Sequence, residues 1–153
     1  MTQSAGVLLF RRRGAAIEVL LAHPGGPIWQ KRDEGAWTIP KGEPDEGEDL
    51  LDAARREFAE ELGSPAAASR DDFITLTPVR QPGGKVVHAF ALEADFDPNR
   101  VSSNVFSMEW PPRSGRRQSF PEIDRAAWFT LEVARTKILV GQAPLLDELT
   151  RLV

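Results

Sequence analysis

The chain has 153 residues, contains no cysteine and carries a formal net charge of −4. This length suits one domain with its own core, so we expect residues 1–153 to form a single domain. The composition excludes disulfides and cysteine nucleophiles, and the lack of a long apolar run favours a cytoplasmic protein with no membrane partner. The acidic balance argues against a stable nucleic-acid complex.

The first third of the chain predicts a strand pair followed by a loop. Apolar runs at residues 5–10 and 17–23 predict two strands joined by a polar turn at 11–14. Proline and glycine then break the chain at 24–27, and the loop at 28–36 carries Trp29, which we expect to be exposed and able to stack on a base.

Residues 37–39 predict a short strand that ends in a turn at Gly42. Trp37 on this strand is a candidate for substrate contact, although burial in the core is the favoured interpretation because tryptophan chiefly buries area. Lys41, next to the turn, is a candidate phosphate ligand with a solvated surface lysine as the alternative.

Residues 48–62 predict an amphipathic helix. Its apolar stripe contains Leu51, Ala54, Phe58 and Leu62, and Gly63 marks its end. Acidic residues precede the helix, where they suit its positive N-terminus.

Three glutamates share one face of this helix: Glu57, Glu60 and Glu61. Side chains three and four positions apart are neighbours on a helix, so these carboxylates should converge and repel unless a cation lies among them. An exposed salt-bridged helix built on Arg56 is the alternative, but it does not explain Glu57 beside Glu61. Carboxylates are ligands that Mg²⁺ and Mn²⁺ prefer, so the pattern predicts a divalent-metal site.

The second half of the chain predicts a strand-rich core closed by helices. We expect strands at 73–79, 86–94, 105–110 and 126–129, and helices at 131–140 and 144–152. His23 and His88 fall within strands and are expected to have satisfied rings. The arrangement of elements predicts an α/β or α+β sandwich with a mixed sheet.

Residues 111–117 form a predicted loop that is rich in proline and arginine. Its arginines could clamp a polyphosphate, although such a loop is more often solvated or paired with acids. The three candidates are Arg113, Arg116 and Arg117.

The window 42–64 resembles the Nudix box, the signature of the Nudix hydrolase superfamily. The box is written as G, five residues, E, seven residues and then R-E-U-x-E-E-x-G-U, with U apolar. Ser64 departs at the final apolar position, and Phe58 fills the first one. The fixed positions are occupied by Gly42, Glu48, Arg56, Glu57, Glu60, Glu61 and Gly63.

This resemblance implies a Nudix α/β/α sandwich and metal-dependent cleavage of a phosphoanhydride bond. Glu57, Glu60 and Glu61 would bind Mg²⁺ or Mn²⁺, which would activate water for attack on phosphorus, and the backbone near Lys41 would approach the metal through the turn at Gly42. Arg56 would hold Glu57, and Glu48 would support the glycine loop or an outer metal.

The general base is left open between Glu57 and an acid near the last strand. Some Nudix relatives carry another metal-binding or basic glutamate a few residues before the closing tryptophan. Glu122, six positions before Trp128, is similarly placed, and Asp124 is the competing choice.

The resemblance leaves several substrates open. Nucleoside triphosphates and dinucleoside polyphosphates are the first expectation, although the chain has no tyrosine, a residue that dinucleoside tetraphosphate hydrolases of this superfamily often carry after the box. Pro78 lies in a region where ADP-ribose-type members tend to carry a proline, which keeps ADP-ribose or another nucleoside-diphosphate sugar as an alternative. A sensor that binds nucleotides without turnover is the non-catalytic alternative, and the oligomeric state is not indicated.

Overall fold

The computed structural model describes residues 2–66 and 68–153, and its central feature is a mixed β-sheet. Within those residues, seven strands form this sheet, and two further strands form a separate hairpin. The strands are β1 (Gln3–Arg13), β2 (Ala16–Pro24), β3 (Lys41–Gly42), β4 (Ile74–Thr75), β5 (Val79–Arg80), β6 (Val86–Glu93), β7 (Val105–Glu109), β8 (Arg117–Pro121) and β9 (Ile123–Thr130).

The helices are α1 (Leu50–Leu62), α2 (Leu131–Lys137) and α3 (Ala143–Leu152). In the main sheet the strands run in the order β4, β6, β1, β2 and β9, with β3 paired to β1 and β5 paired to β6. Strands β1 and β6 are parallel, whereas the other pairs are antiparallel. None of the helices in the described ranges is long and apolar enough to cross a bilayer.

Alternation along β1 places helices on both faces of the sheet. Val7 and Leu9 pack with Phe58 of α1, whereas Leu8 and Phe10 pack with the apolar residues of α2 and α3. Successive side chains of a strand point to opposite faces, so an apolar run such as that of β1 requires cover on both sides. The predicted α/β fold with a mixed sheet is confirmed.

Several predicted boundaries are corrected by the structure. The strand pair extends through residues 11–13, because Arg11 to Arg13 pair with Glu18 to Ala16, so the turn is confined to Gly14 and Ala15. The last but one helix stops at Lys137 rather than Val140, since Ile138 is extended and bridges to Trp37.

The strand predicted at 37–39 is displaced. Thr38 and Trp37 make only isolated bridges, to Ala22 and Ile138, and the paired strand β3 lies at the position predicted as a turn. Alternating apolar residues indicated extended backbone there, but they could not identify its partners.

The strand predicted at 73–79 divides into β4 and β5. Pro78, which has no backbone donor, lies between them, and Thr77 instead donates its backbone N–H to Glu148 at 2.7 Å. Strand β8, which pairs with β7, was not predicted, because its residues follow a proline-rich segment and show little apolar alternation.

Candidate active site

Helix α1 is fixed at both ends, which sets the position of its glutamates. The Asp49 side chain accepts a hydrogen bond from the backbone N–H of Asp52 at 3.1 Å and caps the N-terminus. Gly63 ends the helix in the left-handed conformation at φ 87°, and its N–H donates to the Ala59 carbonyl at 2.8 Å. The predicted helix is confirmed, with Glu57, Glu60 and Glu61 in its second half.

Gly42 and Glu57 are in direct contact between β3 and α1. A Cβ built on Gly42 would lie 2.1 Å from Cδ of Glu57, so any other residue here would displace the Glu57 carboxylate from its present position. Gly42 is not among the glycines with positive φ, so the expectation that it serves turn geometry is corrected. Its missing side chain instead leaves space for the Glu57 carboxylate.

Arg56 binds carboxylates on three sides. Its guanidinium donates to both carboxylate oxygens of Glu48, at 3.0 and 2.9 Å, and to Glu57 at 2.8 Å. It also donates to Glu60 at 3.2 Å and to the Glu43 carbonyl at 3.2 Å. These bonds lower the pKa of Glu48 and raise that of Arg56, so the guanidinium stays charged and orients the surrounding acids.

Glu61 is partly buried beside Glu57, and the nearby charge of Lys41 offsets only part of the cost of ionising it. The backbone N–H of Lys41 approaches its carboxylate at 3.4 Å. Burial, and next the charge of Glu57, raise the pKa of Glu61 to about 8. Burial also raises the pKa of Glu57, although Arg56 opposes this. The pair therefore costs free energy when both acids are ionised.

Glu122 lies at the start of β9 and joins this acidic group electrostatically. It is exposed, and its charge contributes to the raised pKa values of Glu57 and Glu61. Asp124 is the competing choice. Its Oδ1 lies 2.9 Å from Nδ1 of the buried His23, within hydrogen-bond distance. The structure therefore brings Glu122 near the glutamates of α1 and engages Asp124 in a separate contact.

The carboxylates of this group are suitable ligands for a divalent cation. In this structure, however, Glu48, Glu57 and Glu60 are arranged around the guanidinium of Arg56. Within residues 2–66 and 68–153, no three aspartate, glutamate or histidine side chains are placed so that together they could hold a metal ion. Glu60 is turned to Arg56, and the flexible glutamate side chains would have to rotate to converge. Two partly buried carboxylates with raised pKa values are nevertheless the groups that a bound cation would stabilise as anions.

This arrangement predicts how stability depends on pH without metal. Between pH 4.5, the ordinary pKa of Glu61, and about 8, its value in the fold, the folded state holds a proton that the unfolded chain releases. The free energy of unfolding should therefore fall as pH rises through this window. Mn²⁺ or Mg²⁺ should reduce the fall, and Glu61→Gln should remove much of it, as measured by urea titration at several pH values.

The exposed acid Glu46 provides the control for this experiment, because Glu46→Gln changes the same charge away from the cluster. An identical decline in wild type and Glu61→Gln would contradict the assignment of the pH dependence to Glu61.

The two tryptophans proposed to contact substrate have different environments. The exposed fraction of Trp37 is 3%, and its ring packs edge-on against His23 and Phe129 at centroid distances of 5.0 and 4.9 Å. This burial corrects the substrate-binding alternative for Trp37. Trp29 is partly exposed rather than fully exposed, and it lines a surface cavity.

Lys41, the candidate phosphate ligand, is partly buried in β3. Its pKa is lowered, first by burial and next by the charge of Lys85.

The arginine loop forms the turn between β7 and β8, where Glu109 accepts hydrogen bonds from the backbone N–H groups of Arg113 and Gly115, both at 3.1 Å. The Arg117 guanidinium donates to Ser107. Among the described residues, no hydrogen bond or ion pair joins the arginines of this turn to the acids of α1.

Gln142 supports the site from the opposite face of the sheet and was not identified from the sequence. Its side chain accepts from the Ile39 N–H at 3.0 Å and donates to Thr38 Oγ1 and Gln81 Oε1, both at 2.8 Å. It therefore anchors the segment that leads to Lys41 and Gly42. A lone glutamine before a helix carries no sequence signal for this role.

These observations define an α/β/α protein in which helix α1 and the adjoining short strand β3 bring several carboxylates together around Arg56. The NUDIX domain family profile matches residues 1–149, so the chain belongs to the NUDIX domain family. The identification as a Nudix hydrolase relative is thereby confirmed, and hydrolases of this family generally need divalent metal ions.

Known proteins resemble the chain in sequence over a short segment and in fold over almost its whole length. An RNA pyrophosphohydrolase of Caulobacter vibrioides is 48% identical over 52 residues, and the match spans 31% of this chain and 30% of that protein. A C. elegans Ap4A hydrolase has a TM-score of 0.63 and 23% identity, with 99% of this chain and 97% of that chain covered. The NUDIX domain of Shewanella oneidensis NrtR in complex with ADP ribose has a TM-score of 0.65 and 18% identity over 99% and 86% of the two chains. The two structures support the fold.

Proposed function

We propose that the protein is a metal-dependent pyrophosphohydrolase that cleaves a phosphoanhydride bond in nucleotides. The observation that carries this proposal is the partly buried pair Glu57 and Glu61 beside Gly42, since the pair has raised pKa values and lacks a full complement of counter-charge. A Mg²⁺ or Mn²⁺ ion bound there would neutralise phosphate charge and activate water. We also propose a single domain and a reducing compartment such as the cytoplasm.

The protein's own residues have separable tasks in this proposal. Glu57, Glu60 and Glu61 hold the cation, with backbone near Lys41 as a further oxygen donor. Arg56 orients Glu57 and opposes the rise in its pKa that burial causes, while Glu48 fixes Arg56 through two hydrogen bonds. Glu57 or Glu122 accepts the proton of the attacking water.

Nucleoside triphosphates and dinucleoside polyphosphates are the substrates that we propose first, since an exposed basic turn suits a long anionic chain. ADP-ribose or another nucleoside-diphosphate sugar is the alternative suggested by Pro78. The likeness to an RNA pyrophosphohydrolase adds RNA to the candidate substrates, although it concerns only 31% of the chain.

The direct test is chromatographic measurement of substrate loss and product formation over these substrate classes with and without Mg²⁺ or Mn²⁺, because the proposed cleavage need not release inorganic phosphate. Metal-dependent turnover of at least one class is the expected result. Nucleotide binding without turnover of any class would instead favour the sensor alternative.

Trp29 is proposed to contact the base of the nucleotide. Trp29→Ala should raise KM about tenfold and change kcat much less, because loss of one stacking contact weakens binding of substrate and transition state alike. Steady-state kinetics on the best substrate measures both constants. An unchanged KM would reject this role for Trp29.

A further inference from the structure

A cavity of about 310 Å³ lies between the loop that follows β2 and the first strand of the separate hairpin. This volume is at the lower end of the range of small-molecule pockets. Its lining is mostly apolar and aromatic, which suits the flat body of an organic ring better than a phosphate. The lining residues are Gly25, Gly26, Pro27, Ile28, Trp29, Phe106 and Met108.

The hairpin presents one face of β7 to this cavity. Phe106 and Met108 are partly buried, whereas their neighbours Val105 and Ser107 are exposed, as alternation along a strand requires. A Cβ on Gly26 would lie 2.8 Å from the Phe106 ring, so this glycine allows the ring to pack directly on the loop backbone. The loop after β2 and strand β7, which form the two walls of the cavity, are therefore in direct contact at Gly26 and Phe106.

The loop wall is held in shape by its own hydrogen bonds. The Gln30 N–H donates to the Gly26 carbonyl at 3.0 Å, and the Arg32 N–H donates to the Trp29 carbonyl at 2.9 Å. Nε2 of the buried His23 lies 2.6 Å from the Arg32 carbonyl oxygen. The Arg32 guanidinium lies 5.2 Å from the Trp29 ring centroid, so the ring that lines the cavity has a cationic neighbour.

One backbone contact joins the edge of the cavity to Glu122. Gly25, at the edge of the cavity, donates its N–H to the Glu122 carbonyl at 2.9 Å. Glu122 is the acid whose charge reaches Glu57 and Glu61. A molecule whose phosphates occupy the cluster could thus extend past Glu122 into the cavity.

We propose that this cavity binds the nucleobase of the substrate and that Phe106 and Met108 of the hairpin determine which bases are accepted. This inference rests on the proposed nucleotide substrate. The base would stack on Trp29 and contact the two hairpin side chains on the other wall. The apolar lining favours an uncharged planar ring, while the phosphates remain at the carboxylates and their cation.

The test fills the cavity from the hairpin side. Met108→Trp places a larger ring in the pocket, and Val105→Trp makes the same kind of change on the opposite face of β7, where Val105 is 65% exposed. The probes are the four nucleoside 5′-(α,β-methylene)triphosphates and inorganic triphosphate. Calorimetry measures the Kd of each probe for the protein in the presence of Mn²⁺. Thermal unfolding of each variant verifies the fold.

Met108→Trp should raise the Kd of the base-containing probes about tenfold or more, the loss expected for one base contact. The Kd of inorganic triphosphate should not change, and Val105→Trp should resemble wild type. Equal effects of Met108→Trp on both kinds of probe, or no effect on either, would overturn the inference. Phe106→Ala provides a second variant, for which the ranking of the four bases should change.

Hydrolysis by wild type separates this inference from the proposed function. Turnover with unaltered base affinity in Met108→Trp would reject the pocket and retain the enzyme. Selective loss of base affinity in a protein that hydrolyses no nucleotide would retain the pocket and reject the enzyme.

Discussion

Glu57→Gln should lower kcat by about 10² or more while the protein remains folded, because the variant retains the shape of the side chain and removes its charge. Glutamine can occupy the space that Gly42 leaves and can still accept the hydrogen bond from Arg56. It cannot bind a divalent cation as a carboxylate does or take a proton from water. Glu61→Gln should have a comparable effect, with chromatographic product formation as the measurement.

The control for these variants is Glu46→Gln, which removes an exposed charge from the loop before α1. Titration with Mn²⁺ then separates the two roles considered for Glu57. A lost ligand should increase the metal concentration needed for half-maximal rate, whereas a lost base should change the pH profile of kcat at saturating metal. A Glu57→Gln enzyme with at least half of the wild-type kcat would contradict both roles.

Arg56→Ala should impair both activity and stability. The guanidinium binds Glu48, Glu57 and Glu60 at once, and its removal leaves their negative charges together without this cation. We expect kcat/KM to fall by roughly 10–10² and the free energy of unfolding to fall by about 1–3 kcal/mol, as for loss of a charged hydrogen-bonding partner.

The matched control is Arg70→Ala. Arg70 also pairs with two acids next to α1, Asp49 and Asp52, but these pairs are exposed and lie outside the cluster. Its loss should change the free energy of unfolding little and leave kcat unchanged, because exposed ion pairs contribute little to stability. Arg56→Lys should restore activity only in part, since an ammonium cannot form the two-pronged contact with Glu48. Equal kinetics of Arg56→Ala and Arg70→Ala would contradict a positioning role for Arg56.

Helix α1 could be predicted closely because its signals are local. Apolar spacing, an acidic cap and a terminal glycine are all written within a few residues of the element that they define, and the structure adds only Asp49 as the capping side chain. The strand pair β1 and β2 was predictable for the same reason. The family signature in turn indicated the residues of the proposed metal site without any knowledge of their geometry.

Features that depend on distant pairing were not predictable. The contact of Gly42 with Glu57 requires β3 to lie on β1, and no local pattern indicates that pairing. The cavity required β7 to face the loop after β2, although the alternation of Phe106 and Met108 was visible in the sequence. Gln142 anchors residues 38 and 39 across more than a hundred positions of the chain.

The division between the main sheet and the β7–β8 hairpin has an evolutionary consequence. The hairpin forms its own two-stranded ladder, so substitutions along it leave the register of the seven-stranded sheet and the frame of α1 untouched. Selection could therefore retune substrate preference at the hairpin while the reaction centre is inherited unaltered. Grafting hairpins among relatives would be the corresponding engineering route to new preferences.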